Sequence, residues 1–148
     1  MHALPRRQFI RMGLAAALAL QWPAGAFAAD NAAPAKTRAV FQVSDADPQK
    51  WSLTLANVAN AQEALGKDAA EIEIVAFGPG VDMLKKDSPV AARVAEAIHN
   101  GVRVVACQNT MRARKLTPAD MLPEIGSVPS GVVEIMQRQR EGYAYLRS

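Results

Sequence analysis

The sequence predicts an α/β fold in which a mostly parallel sheet is layered with helices. Two observations point there. Short apolar runs of strand length alternate with segments of helical period, and Gly, Pro, Asn or Ser punctuates nearly every junction. In such sheets ligands gather beyond the carboxyl ends of the strands, so the residues at those ends are the first candidates for function.

The elements follow in order. Ala39-Val40-Phe41-Gln42-Val43 reads as the first strand. Asp47-Pro48 is an N-cap with proline in the first helical position, and Trp51, Leu55, Val58 and Leu65 recur at helical spacing before Gly66 stops the helix. The second strand runs from Ile72 to Phe77 into Gly78-Pro79-Gly80, and Val81 to Lys86 is a short irregular or helical piece. Ser88-Pro89 opens another helix with Val90, Val94, Ala97 and Ile98 on its face, closed by Asn100-Gly101. The third strand is Val102 to Ala106. Thr117-Pro118-Ala119-Asp120 has the form of a capping box with Asp in the acidic position, and Pro123 limits that helix to a turn or two. Ile125 to Val128 is a short fourth strand. Ser130 caps a last helix carrying Val132, Val133, Ile135 and Met136, and Tyr143 to Leu146 after Gly142 is a fifth, edge strand.

The domain does not include the start of the chain. Arg6-Arg7-Gln8-Phe9-Ile10-Arg11, the apolar segment Met12 to Leu20 and Ala26-Phe27-Ala28 have the layout of a cleavable export signal, and the paired Arg6 and Arg7 point to the Tat route. The apolar run is about half the ~20 residues that a spanning helix needs, so a stable membrane span is not expected. Residues 1–28 are therefore expected as signal, 29–37 as an Ala/Pro-rich linker and 38–148 as the folded domain, with periplasmic localisation after cleavage behind Ala28. Removing Arg6, Arg7 and Arg11 from the 17 basic residues leaves 14, matched by 14 acidic ones. A formally neutral domain has no electrostatic footprint for nucleic acid.

Three strand ends carry distinctive residues: Ser44-Asp45, Gly78-Pro79-Gly80 and Cys107-Gln108-Asn109. Cys107 is the only cysteine, so no internal disulfide can form. A thiol at a strand end, followed by a polar segment able to start a helix and by Arg112 and Arg114, has surroundings that favour a thiolate. Cysteine is also among the most buried residue types, so a plain core role stands beside the reactive one. Arg112 and Arg114 cannot share a helix face, and Arg112 is the expected partner of the anion. Gln108 and Asn109 can orient a ligand or satisfy loop backbone groups. Gly78 and Gly80 give a weak anion-binding signal beside a plain turn, Asp45 a ligand or a capping role, and Asn57 (with Asn60 near one helix face) a contact or simple exposure. His99 at a helix end suits the helix dipole. With one Cys and one His left in the domain, no metal site and no cofactor is expected.

The strand start Val40-Phe41-Gln42-Val43, the Trp51…Leu55…Asn57…Asn60 helix, Val75-Ala76-Phe77-Gly78-Pro79-Gly80, Val105-Ala106-Cys107-Gln108-Asn109-Thr110-Met111-Arg112 and the tail Val128-Pro129-Ser130-Gly131-Val132-Val133-Glu134…Gly142-Tyr143-Ala144-Tyr145 together resemble the DsrE/DsrF-like family of small sulfur-handling proteins. The resemblance implies a three-layer α/β/α domain with a mainly parallel five-strand sheet, assembled as a trimer or hexamer. In sulfur-relay members a cysteine at the end of the third strand carries persulfide sulfur between protein partners, and Cys107 matches that position. The export signal departs from those cytoplasmic members, so fold transfers more readily than pathway. The expected function is sulfur handling or persulfide transfer by Cys107, as a sulfur transferase or carrier between a donor and an acceptor protein. The alternative is a non-catalytic oligomeric module for small-ligand binding or assembly, with Cys107 structural.

Overall fold

The computed structural model describes residues 36–148. The expected signal, and the expected linker up to residue 35, lie outside the described residues. Five strands form one sheet: β1 Thr37–Val43, β2 Ala70–Ala76, β3 Arg103–Cys107, β4 Gly126–Val128 and β5 Ala144–Arg147. Their order is β4-β3-β2-β1-β5, and every pairing is parallel. The helices are α1 Pro48–Leu65, α2 Ala91–His99, α3 Gln108–Ala113 and α4 Gly131–Arg140, with 3-10 turns at Gly78–Leu84 and Pro118–Asp120.

Local chemistry accounts for most boundaries. Asp47 accepts the Gln49 N–H at 2.8 Å and Pro48 fills the first helical position, while Gly66 at φ 88 ends α1. The Thr117–Asp120 capping box is present, Asp120 accepting from both the N–H (2.7 Å) and the hydroxyl (2.8 Å) of Thr117. Ser88 makes only a 3.4 Å bond from Val90 N–H, so α2 begins later than expected, at Ala91. Ser130 occupies the N-cap of α4 without a side-chain cap bond.

Topology explains which face each helix covers. From β1 to β4 the chain steps steadily toward one edge, so right-handed crossovers place α1, α2 and the later turns on one face. The β4–β5 connection runs back across the whole sheet, and the same handedness puts α4 on the opposite face. The core divides accordingly. Phe41, Leu55, Ile74, Met83, Val94, Val104 and Ala106 pack on the α1/α2 side. Val40, Val75, Val105, Val128, Ile135 and Tyr143 pack on the α4 side.

The last helix corrects the sequence reading in one respect. Its buried stripe is Gly131, Glu134 and Ile135, with Arg138 half-buried one turn on, whereas Val132, Val133 and Met136 are about half exposed. Of the four apolar residues the sequence places on this helix, Ile135 faces the core and the other three face outward, because Glu134 and Arg138 occupy inward positions at helical spacing. Leu65 at the end of α1 is also exposed. No helix among the described residues is long and apolar enough to cross a membrane.

Candidate functional site

Strand alternation sends Val104 and Ala106 to the α1/α2 face and Val105 and Cys107 to the α4 face. Cys107 ends β3 and caps α3, and its register partner on β4 is Val128. Gly131 follows Val128 closely, so the start of α4 is delivered to the sulfur by the pairing of β3 with β4. The environment of the thiol comes from two helix starts. Burial pushes the thiol up, but the N–H groups of Gly131, Thr110 and Asn109 and the Thr110 hydroxyl outweigh it and hold the thiol below its ordinary value. Cys107 is only 5% exposed.

Two of these groups are themselves held. The Thr110 hydroxyl accepts the Gly78 N–H at 2.9 Å, which leaves its proton for the sulfur. Asn109 N–H also reaches the Pro129 carbonyl at 3.3 Å. Gly131 has no room for a side chain: a Cβ would lie 2.9 Å from Phe77 Cδ1. Gly80 is equally constrained, since a Cβ there would fall 2.3 Å from the Val43 carbonyl oxygen. The Gly78-Pro79-Gly80 turn is therefore packed against the end of β1 and braces Thr110.

Arg112 does not take the role expected of it. It donates to Asn109 Oδ1, is exposed, and is not among the largest influences on the thiol. It lines a cleft on the opposite, Ala106, side of the sheet. Gln108 lines the same cleft and donates to Ser127 Oγ at 2.9 Å. Asp45 anchors the end of β1: its carboxylate accepts from Arg147 at 3.1 Å, a bond that, with Lys50, lowers it despite the opposing effect of burial. Its carbonyl accepts the Trp51 indole N–H at 2.7 Å. Asn57 donates to Ser148 Oγ at 3.1 Å, tying α1 to the chain end. Asp45 and Asn57 thus serve the β5 side of the molecule, apart from the thiol.

Thr110 and Gly131 are the site residues that the sequence did not single out. The signal for Gly131 was the glycine opening a helix directly after the strand that pairs with the cysteine strand. Thr110 lay within the polar segment but had no pattern of its own.

A second buried ionisable group shares the α4 face. Glu73 of β2 is 1% exposed and meets Arg138 Nε at 2.5 Å and Arg103 at 3.4 Å. Arg138 also pairs with Glu134 at 2.9 Å and Glu141 at 2.7 Å. Burial pushes Glu73 up to about 7, with Arg138 opposing and Glu134 adding to the rise. One of its carboxylate oxygens, Oε1, has no hydrogen-bond partner. Nearby Tyr143 donates to Glu71 at 2.5 Å and is pushed up to about 12 by burial and then by that bond.

The described residues form a small all-parallel α/β domain whose one cysteine ends the third strand. A model of the DsrE/DsrF-like family matches residues 37–147, and the chain belongs to that family. A solved protein of unknown function from Methanobacterium thermoautotrophicum is similar at 38% identity, with 76% of this chain and 100% of the other covered and a TM-score of 0.73. The ychN protein from E. coli (14% identity, 76% and 99% covered, TM-score 0.63) and a conserved protein of unknown function from Bacteroides thetaiotaomicron (13%, 75% and 94%, 0.62) share the fold. No curated protein matches the chain.

Proposed function

We propose that this is an exported protein that handles sulfane sulfur through Cys107. The observation that carries the reading is the set of N–H and hydroxyl donors that lowers the thiol despite its burial. The Cys107 thiolate attacks the outer sulfur of a donor persulfide. A new S–S bond forms at Cys107, the donor's S–S bond breaks, and the donor leaves as a thiolate. An acceptor thiolate then takes the outer sulfur and regenerates the Cys107 thiolate, with no net oxidation. Family membership supports the chemistry; donor and acceptor are thiol-bearing proteins.

Export by the Tat route with cleavage after Ala28 rests on Arg6, Arg7 and the Ala26-Phe27-Ala28 pattern. Assembly as a trimer or hexamer is supported by the half-exposed Val132, Val133 and Met136 of α4 with exposed Tyr145 on the same face, an apolar surface suited to a second copy. One observation favours a second reading, in which Cys107 is structural within a binding or assembly module: its exposure of 5%. Mass spectrometry after polysulfide treatment separates the two. The carrier gains sulfur at Cys107 that a reductant removes, and Cys107→Ser gains none. A protein whose native thiol gains no sulfur until it is unfolded is the structural module.

A further inference from the structure

An apolar recess near the sheet's carboxyl edge lies on the other face from the thiol. It is a cleft of about 370 Å³ between α3 and the connection that leads to β4. Met111, Leu116, Met121 and Ile125 supply apolar lining, and Gln108 and Ser127 lie together at its edge, joined by their own hydrogen bond. Among the residues lining the cleft Arg112 is the one with a charge. Its neighbour Arg114 is neutralised by Asp82 at 2.9 Å, whereas Arg112 has the neutral Asn109 amide as its partner and no ion pair with a carboxylate among the described residues. An apolar recess with a few converging polar groups is the usual form of a small-molecule site, and an unneutralised guanidinium selects the sign of the ligand's charge.

We propose that the cleft binds a small amphipathic carboxylate, its apolar body against Met111, Met121 and Ile125 and its carboxylate on Arg112. The guanidinium's planar fork suits bidentate binding of a carboxylate, and the volume suits a single short chain rather than a two-chain lipid. The carboxylate competes only with a neutral amide for Arg112, so no existing ion pair has to break. This site is independent of the sulfur chemistry, because it lies on the other side of the sheet and does not use Cys107.

The test is calorimetric titration of the protein with octanoate and with octanol, which differ in charge but share an apolar chain. One site per protomer is expected, with octanoate about tenfold tighter than octanol. Arg112→Gln, an exposed change that leaves the fold intact, is expected to erase that preference. Ile125→Trp, which fills the lining, is expected to remove both ligands. The proposal is overturned by the absence of saturable octanoate binding, by equal affinity for the two ligands in the wild type, or by undiminished octanoate affinity in Arg112→Gln.

Discussion

Cys107 and Glu73 are both buried beneath the same face of the sheet, and burial is the largest influence on each. Their outcomes are opposite. Glu73 is pushed up to about 7, whereas the thiol ends below its ordinary value. The difference lies in what surrounds them rather than in depth. The main polar influences on the sulfur are donors: backbone N–H groups at two helix starts and one hydroxyl. The carboxylate meets guanidinium groups too, but shares them with Glu134 and keeps one oxygen without a partner. Burial alone therefore does not make a group inert. The count and sign of the neighbouring dipoles and charges decide.

The largest effect expected from this contrast comes from removing Arg138. Breaking a buried pair leaves an uncompensated charge, so Arg138→Met is expected to cost ~3–5 kcal/mol in urea unfolding at high pH, and less once Glu73 is protonated. Equal loss at low and high pH would break the contrast. Glu73 also sets a slope in the wild type. Its folded value lies above the ordinary 4.5, so the folded state binds the proton more tightly than the unfolded chain does. Its contribution to stability should be fully present below 4.5 and be lost as pH rises through about 7, by up to ~3 kcal/mol, and Glu73→Gln should remove that part of the pH dependence.

Changes at the sulfur are expected to be smaller in stability and specific in ionisation. Gly131→Ala forces a Cβ against Phe77 and moves the start of α4 from the thiol. The expected cost is ~1–3 kcal/mol, with the thiol titration displaced upward. Thr110→Val removes one donor to the sulfur and leaves the Gly78 N–H without its acceptor, costing ~1–2 kcal/mol and raising the thiol less. The smallest effect belongs to Arg112→Ala, which should leave the thiol titration where it is. A clear upward shift would restore the role that the sequence suggested for this residue.

The fold was more legible than the site. Asp47-Pro48, Gly66, Asn100-Gly101 and the Thr117–Asp120 box are local signals whose chemistry closes within a few residues, and the strands between them have apolar runs. The position of Cys107 at a strand end was legible for the same reason. Its donors were not, because Gly131 reaches it through the β3–β4 register and Thr110 is fixed by Gly78 of a different connection. Arg112 is near the thiol in sequence, but the sheet separates their faces. Glu73 was hidden by pattern: Glu71 and Glu73 alternate with isoleucines as on a half-solvated strand, and Glu71 does stay partly exposed beside Arg38, but α4 covers Glu73 with Arg138.

The central claim is that local donors overcome burial at Cys107. The most direct measurement is the ultraviolet absorbance of the thiolate against pH, taken as the difference between the protein and Cys107→Ser, folded and in denaturant. Absorbance reads ionisation without requiring a reagent to reach the buried sulfur. The folded midpoint is expected below that of the unfolded chain, whose ordinary thiol value is ~8.5. A folded midpoint at or above the unfolded one would contradict the claim and leave Cys107 a core residue.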